Sequence, residues 1–394
     1  MTKAVVSFRK VDIVFGENPA RALPLIDEGK SREEIQAATD QILGVAGATL
    51  DLLEGEIVVL MGLSGSGKST LIRAVNGLNR VARGEVLVRD GARWLNPQTC
   101  TREELRDLRR HRVAMVFQQF ALLPWRTVEQ NVGFGLQLAG VSTAERRKRV
   151  AEQLELVGLS DWAGKEVHEL SGGMQQRVGL ARAFATAAPI LLMDEPFSAL
   201  DPLIRTRLQD ELLDIQQRLR RSILFVSHDL DEAFKIGSRI AIMEGGRIVQ
   251  FGTPHEIALH PANDYVADFV AHMNPLAVLR AAELMTPIEA CEEAEGGRLA
   301  DAASGLVIDP AGAPRLRGDA IRQARPGNGP IEPGAVCVCA PDTPVRDIME
   351  ARLKTGLPIL VEADGKVIGR VGDAEIYGGL LGRQSPDDQS PARR

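Results

Sequence analysis

The chain has 394 residues, 44% of them hydrophobic, which is enough to fill the core of one large domain and of a smaller one. Its formal charge of −6 argues against a partner with a phosphate backbone, so nucleic acid is not expected, and no apolar run approaches the ~18 residues of a membrane span. The first residues lack the basic-then-apolar layout of a secretory signal, and Cys100, Cys291, Cys337 and Cys339 show no zinc or Cys-x-x-Cys spacing, which fits a reducing cytosol.

In chain order, the first expected strand ends near Phe15, whose ring is suited either to stacking on a purine or to core packing. An inserted stretch, Asn18 to Val45, follows, with a capping-box helix start at Ser31-Arg32-Glu33-Glu34. Glu56 to Met61 reads as a buried strand, Gly62-Leu63-Ser64-Gly65-Ser66-Gly67-Lys68-Ser69 as a loop and Thr70 to Val75 as a helix. This is the strand-loop-helix context of a phosphate-binding P-loop. The glycines let backbone N–H groups turn inward, and the helix N-terminus adds positive dipole. ATP is therefore the expected ligand, held by Gly62, Ser64, Gly65, Ser66, Gly67, Lys68, Ser69 and Thr70. Lys68 is expected on the β- and γ-phosphates and the Ser69 hydroxyl on Mg²⁺.

Arg102 to His168 reads as a helical region in which Val150, Leu154 and Val157 keep helical spacing, and the basic clusters Arg106–Arg112 and Arg146–Arg149 read as solvated faces. Pro189 to Pro196 is an apolar strand ending in Asp194 and Glu195. Asp194 is placed to reach the magnesium shell through water, and Glu195 to polarise an attacking water. A second apolar strand, Ser222 to Ser227, delivers His228 to the same edge, either as a structural hydrogen-bonding group or as a sensor of the γ-phosphate.

Leu170-Ser171-Gly172-Gly173-Met174-Gln175-Gln176-Arg177, lying between the loop and the acidic strand, resembles the signature of ABC-transporter ATPases. The resemblance extends over residues 1–272. It implies an α/β fold: a P-loop nucleotide-binding domain with a RecA-like core, an antiparallel β subdomain and a helical signature subdomain at about 102–168. It further implies that two cassettes close head to tail. Ser171, Gly172, Gly173 and Gln175 of one would then cover the ATP held by the other, with Asp201 in the loop that communicates across the interface. Val116 to Trp125 resembles the Q-loop, which places Gln118 toward Mg²⁺ and makes Trp125 either a contact to a permease or a packing residue of its own subdomain. His228 takes the place of the family's switch histidine.

The insertion resembles that of the quaternary-amine importer branch. The agreement is closest with choline-importing members through Met61 to Ser64, Ala121 to Thr127, Asp201 to Arg205 and Pro261 to Val266. This implies an ATPase subunit energising uptake of choline, glycine betaine or proline betaine at the cytoplasmic face of the plasma membrane. Its partners would be a separate permease, an external binding protein and a second copy of the chain. Aromatics form only 4% of the chain, too few for the cages that hold quaternary ammonium groups, so substrate recognition is expected in those partners. Other importer substrates and soluble ABC ATPases are the alternatives. The latter carry two cassettes or a long coiled coil, neither of which is seen, and a metabolic kinase would leave Ser171 to Gly173 without a task.

Residues 273–383 read as a small α+β region resembling a CBS-type regulatory module, with one recognisable copy (Val345 to Val371) and only Leu284 to Pro287 of another. A degenerate dimer-stabilising domain and an active sensor are both compatible with it. Arg315 to Pro333 reads as a loop, Cys337 and Cys339 as apolar fillers on one side of a strand, and 384–394 as a disordered tail.

Overall fold

The computed structural model describes residues 3–271, 279–325 and 335–380. The chain divides into two compact units, Met1–Ala271 and His272–Arg394.

The core of the first unit is a six-stranded sheet. Its order is Arg247–Gly252, Arg239–Glu244, Ile57–Met61, Ser222–Val226, Ile190–Asp194, Val113–Val116. All neighbours are parallel except the first hairpin. Ile57–Met61, Ile190–Asp194 and Ser222–Val226 are buried at every position, as strands covered on both faces must be, which is why they read as unbroken apolar runs. Phe225 and Phe197 meet at 5.7 Å between ring centroids beneath the site.

A second, antiparallel sheet pairs Ile42–Leu53, Ala4–Phe15, Arg83–Asp90 and Arg93–Leu95 in that order. Since Ile42 already pairs with Phe15, the insertion ends at Gln41 rather than at Val45. The insertion folds into short helices, including Arg32–Thr39, whose capping box forms as its sequence predicts: Ser31 Oγ accepts from the Glu34 N–H and Glu34 accepts from the Ser31 N–H. Ala22, Ile26 and Ile35 bury themselves against Val14, Leu43 and Ala46.

Among the described residues between 102 and 185, the longest helices are Thr143–Leu156 and Gly172–Ala185. Asn131 is fully buried between them and the Q-loop. Its side chain donates to the carbonyls of Leu123, Arg126 and Thr127 and accepts from the Leu123 N–H, so a polar core residue fixes a loop that has no ladder of its own.

In the second unit, Thr286–Pro287, Lys366–Val371, Ile359–Ala363, Val336–Cys339 and Gln323–Ala324 form one sheet, with Val345–Thr355 and Asp373–Leu380 as helices. A second sheet, Glu293 to Ala320, is an antiparallel meander. It stands where a first regulatory copy would lie, and its last strands, Pro314–Leu316 and Asp319–Ala320, replace part of the loop expected from Arg315 onward. Its strands are too short for sequence periodicity to register. Residues 326–334 of that stretch and the tail expected at 384–394 lie outside the described residues. Cys337 and Cys339 are buried apolar fillers, and burial pushes the Cys339 thiol up to about 11, which keeps it inert near neutral pH. Among the described residues no helix is long and apolar enough to cross a membrane.

Phe225 lies at the centre of the larger sheet with no solvent exposure. Phe225→Ala should destabilise the first unit by about 3–5 kcal/mol, read as a lower denaturation midpoint of that unit.

Candidate functional site

The phosphate loop leaves the sheet at Met61 and turns through three glycines with positive φ: Gly62 at 139°, Gly65 at 81° and Gly67 at 105°. Gly62 and Gly67 also need the absence of a side chain. A Cβ would stand 2.1 Å from the Met243 carbonyl oxygen in the first case and 2.5 Å from that of Gly44 in the second. Lys68 begins the helix Lys68–Val75, and its ammonium donates to the carbonyls of Gly62 at 2.8 Å and Leu63 at 2.9 Å. Burial pushes its pKa down against the opposing pull of Glu195 and Asp194.

The strand Ser222–Val226 stands between the loop strand and the acidic strand, so the acids reach the loop through its helix. Asp194 has no exposed surface. One of its oxygens accepts from Ser69 Oγ at 2.6 Å and the other from Arg73 Nη2 at 2.8 Å. A hydroxyl and a carboxylate in contact, both hard oxygen donors, are the donor set that Mg²⁺ takes beside phosphate oxygens.

Glu195 follows with φ +49°, a left-handed conformation unusual for a residue other than glycine. That turn aims its carboxylate at two partners, Gln118 Nε2 at 3.2 Å and His228 Nδ1 at 3.3 Å, both on the same Oε2. His228 keeps its side chain 61% exposed at this edge.

Gln176 holds the strained turn and was not singled out by sequence reasoning. It is buried, donates through Nε2 to the Glu195 carbonyl at 3.2 Å and accepts from the Ala199 N–H at 3.0 Å. The signature helix Gly172–Ala185 is thereby tied to the backbone of Glu195. Its neighbour Gln175 instead donates to the carbonyls of Val167 and Leu170 and secures its own turn. The helix has 3.6 residues per turn, so adjacent glutamines face different surroundings, and only packing shows which faces the core. Arg182, on the same helix, donates to the carbonyls of Phe120 and Ala121 at 2.9 and 2.7 Å, pinning a Q-loop turn in which both residues have positive φ.

Ser171 caps the signature helix through the Met174 N–H at 3.4 Å, and Gly173 lies against the Ala199 carbonyl, where a Cβ would come within 3.2 Å. Within one chain Ser171, Gly172, Gly173 and Asp201 have no bond to the phosphate loop. Asp201 caps Pro202–Leu219 through the Ile204 N–H. Ser64 is exposed, Ser66 is buried and Thr70, in the helix that follows, is half-buried. Phe15 is 41% exposed, which excludes it from the core. Its ring edge and the Thr70 methyl would each stand 2.9 Å from a Cβ at Gly44, so glycine there lets an aromatic face lie beside the loop. Trp125 is 73% exposed and therefore does not pack into its own subdomain.

Behind His228 lies a buried carboxyl, Glu232. It accepts from Ser227 Oγ at 2.5 Å and from Gln209 Nε2 at 3.0 Å, and burial raises its pKa. Asp229, next to His228, pairs with Arg205 on the Asp201-capped helix at 3.2 Å. This ion pair ties the histidine loop to that helix.

A loop that cradles phosphates, an acidic strand, a glutamine, a histidine and a glycine-started helix joined through Gln176 define a P-loop ATPase of the ABC class. The comparisons agree. Residues 45–198 match the family model described as ABC transporter. The glycine betaine/proline betaine transport ATP-binding protein ProV of Escherichia coli is 52% identical over 271 residues, 69% of this chain and 67% of that one. The glycine betaine/carnitine transport ATP-binding protein GbuA of Listeria monocytogenes is 39% identical over 94% of this chain and 96% of its own length. The solved dimeric, post-hydrolysis structure of the ATP-binding cassette MJ0796 with ADP and Pi superposes with a TM-score of 0.54 at 29% identity, covering 63% of this chain and 98% of that one. The chain belongs to the ATP-binding subunits of ABC transporters, enzymes that bind and hydrolyse ATP.

Gln176→Ala would take away the acceptor of the Ala199 N–H and leave the Glu195 carbonyl to Ser198 alone. It should cost about 1–3 kcal/mol of stability and lower ATP turnover more than ATP affinity, as measured by melting and steady-state kinetics. The raised pKa of Glu232 means that the native state holds this proton more tightly than the unfolded state does. Its contribution is therefore fully present below the ordinary carboxylate range and is lost as pH rises through the native value. Glu232→Gln should remove that loss, so denaturation midpoints of wild type and variant should diverge in favour of the variant as pH rises above the ordinary carboxylate range.

Proposed function

We propose that this subunit energises import of a quaternary amine, choline or a betaine, through a separate permease at the cytoplasmic face of the membrane, and that two copies close over two ATP molecules. The observation that carries the hydrolytic part is Glu195 Oε2, shared by Gln118 and His228 and aimed by a backbone that Gln176 holds. A carboxylate so placed accepts a proton from, or orients, a water in line with the γ-phosphate, while His228 donates toward that phosphate and Gln118 holds the carboxylate in register. Lys68 exchanges its loop carbonyls for phosphate oxygens, and Phe15 offers its exposed face to adenine. Mg²⁺ suits Ser69, Asp194 and Gln118, and when bound it neutralises charge that develops between the β- and γ-phosphates.

Support for the dimer comes from Ser171, Gly172 and Gly173, which lie at a helix N-terminus with no phosphate loop of their own chain to serve. The relatives named above support the amine, and the scarcity of aromatic residues assigns its recognition to a binding protein outside the cell and to the permease. Trp125, exposed beside the Q-loop, suits contact with that permease. For the second unit, we read a role in stabilising the pair of cassettes or in regulation.

Lys68→Ala and Ser171→Arg should each abolish turnover. Because a mixed dimer keeps one complete site, mixing the two inactive variants should restore about a quarter of wild-type sites, and no recovery would refute the composite arrangement. In vesicles carrying the matched permease and binding protein, choline or a betaine should stimulate ATP hydrolysis and accumulate. Indifference to all of them would overturn the substrate class. Glu195→Gln should lower turnover by about 10²-fold or more while ATP binding persists.

A further inference from the structure

The insertion lies outside the region shared with the general family, which begins at residue 45, yet one of its side chains reaches the phosphate loop. Arg32, the first residue of the helix Arg32–Thr39, donates through Nη1 to the carbonyl of Gly65 at the tip of the loop. Through Nη2 it donates at 2.5 Å to the carbonyl of Gly44. The guanidinium is wedged between glycines, since a Cβ at Gly67 or Gly246 would stand 3.3 or 3.0 Å from its Nη2. The insertion that delivers it is anchored at several points. Ile35 and Ile26 are buried in its own apolar cluster, Arg83 bridges Asp12 and Asp27, and Arg247 donates to the Ile26 carbonyl.

We infer that Arg32 is a positioning residue by which the insertion sets the affinity of the phosphate loop for nucleotide. The inference rests on reading Gly62 to Ser69 as the ATP site. The Gly65 carbonyl and the Ser66 N–H belong to one planar trans peptide, so they point in opposite directions. A cation bound to that carbonyl on the outer side turns the N–H toward the loop interior, where it now meets the Leu63 carbonyl at 3.1 Å, and polarises it as a donor to an anion. The same guanidinium holds Gly44, which Phe15 and Thr70 flank, so one side chain sets the spacing between the purine wall and the phosphate loop. Lysine could supply charge to one carbonyl, whereas the planar fork of arginine bridges two. Contacts made equally to ATP in the ground and transition states change KM and leave kcat alone.

The test uses the full chain, with titration of a fluorescent ATP analogue in the presence of magnesium and steady-state hydrolysis. Arg32→Ala should raise Kd and KM for ATP about tenfold while kcat stays within about twofold, and Arg32→Lys should recover affinity to within about threefold of wild type. Melting without nucleotide checks that the variants are folded. If Arg32→Ala unfolds, Glu34→Ala, which removes the cap of the helix carrying Arg32 and an ion pair with Lys30, should raise KM in the same direction by a smaller factor. Wild-type KM and Kd in the Arg32 variants, or a fall in kcat at unchanged KM, would overturn the inference. Lys68→Ala, run in parallel, separates the two readings. If it binds ATP as wild type does, the loop assignment and the role of Arg32 fall together. If it loses ATP while the Arg32 variants keep full affinity, only the role of Arg32 falls.

Discussion

The structure depends on the burial of one carboxylate. Asp194 has no exposed surface, and a buried charge is tolerable only when paired and hydrogen-bonded. Ser69 and Arg73 supply that pairing from the first turns of the loop helix. The acidic strand and the phosphate loop are not neighbours in the sheet, and Ser222–Val226 lies between them. The bonds to Asp194 are therefore what holds the loop helix against the acidic strand and gives the site a fixed width. Leu224 of the intervening strand packs with Leu71 and Ile72 of the loop helix.

Around this anchor the backbone of Glu195 is strained. The left-handed backbone of Glu195 has an energetic cost that the surroundings must offset, and Gln176 does so from the signature helix, binding the Glu195 carbonyl and the Ala199 N–H together. Arg182, two turns further along that helix, holds the equally strained carbonyls of the Q-loop. A single helix thus supports both the Glu195 backbone and the loop that carries Gln118.

On the opposite side, Glu232, Ser227 and Gln209, with Arg205 and Asp229, join the histidine loop to the helix that Asp201 caps. The insertion grips the phosphate loop from a third direction through Arg32.

The residues that chemistry demands were legible in the sequence, because phosphate, water and their ligands require particular side chains at short, fixed spacing. Gly62 to Ser69, Asp194, Glu195, Gln118 and His228 are of this kind, as are the buried strands, whose apolar runs follow from being covered on both faces, and the capping box at Ser31. What could not be read was whatever depends on contacts between distant segments. Gln176 rather than Gln175 turns inward, Phe15 and Trp125 stay exposed, the insertion ends at Gln41, and a meander of short strands occupies Glu293 to Ala320. Arg32 looked like one charge on a capped helix. Only folding of the insertion onto the sheet brings it to Gly65, 33 positions away in the chain. Local patterns record the energetics of a few neighbouring residues, whereas which side chain meets which distant carbonyl is decided by packing.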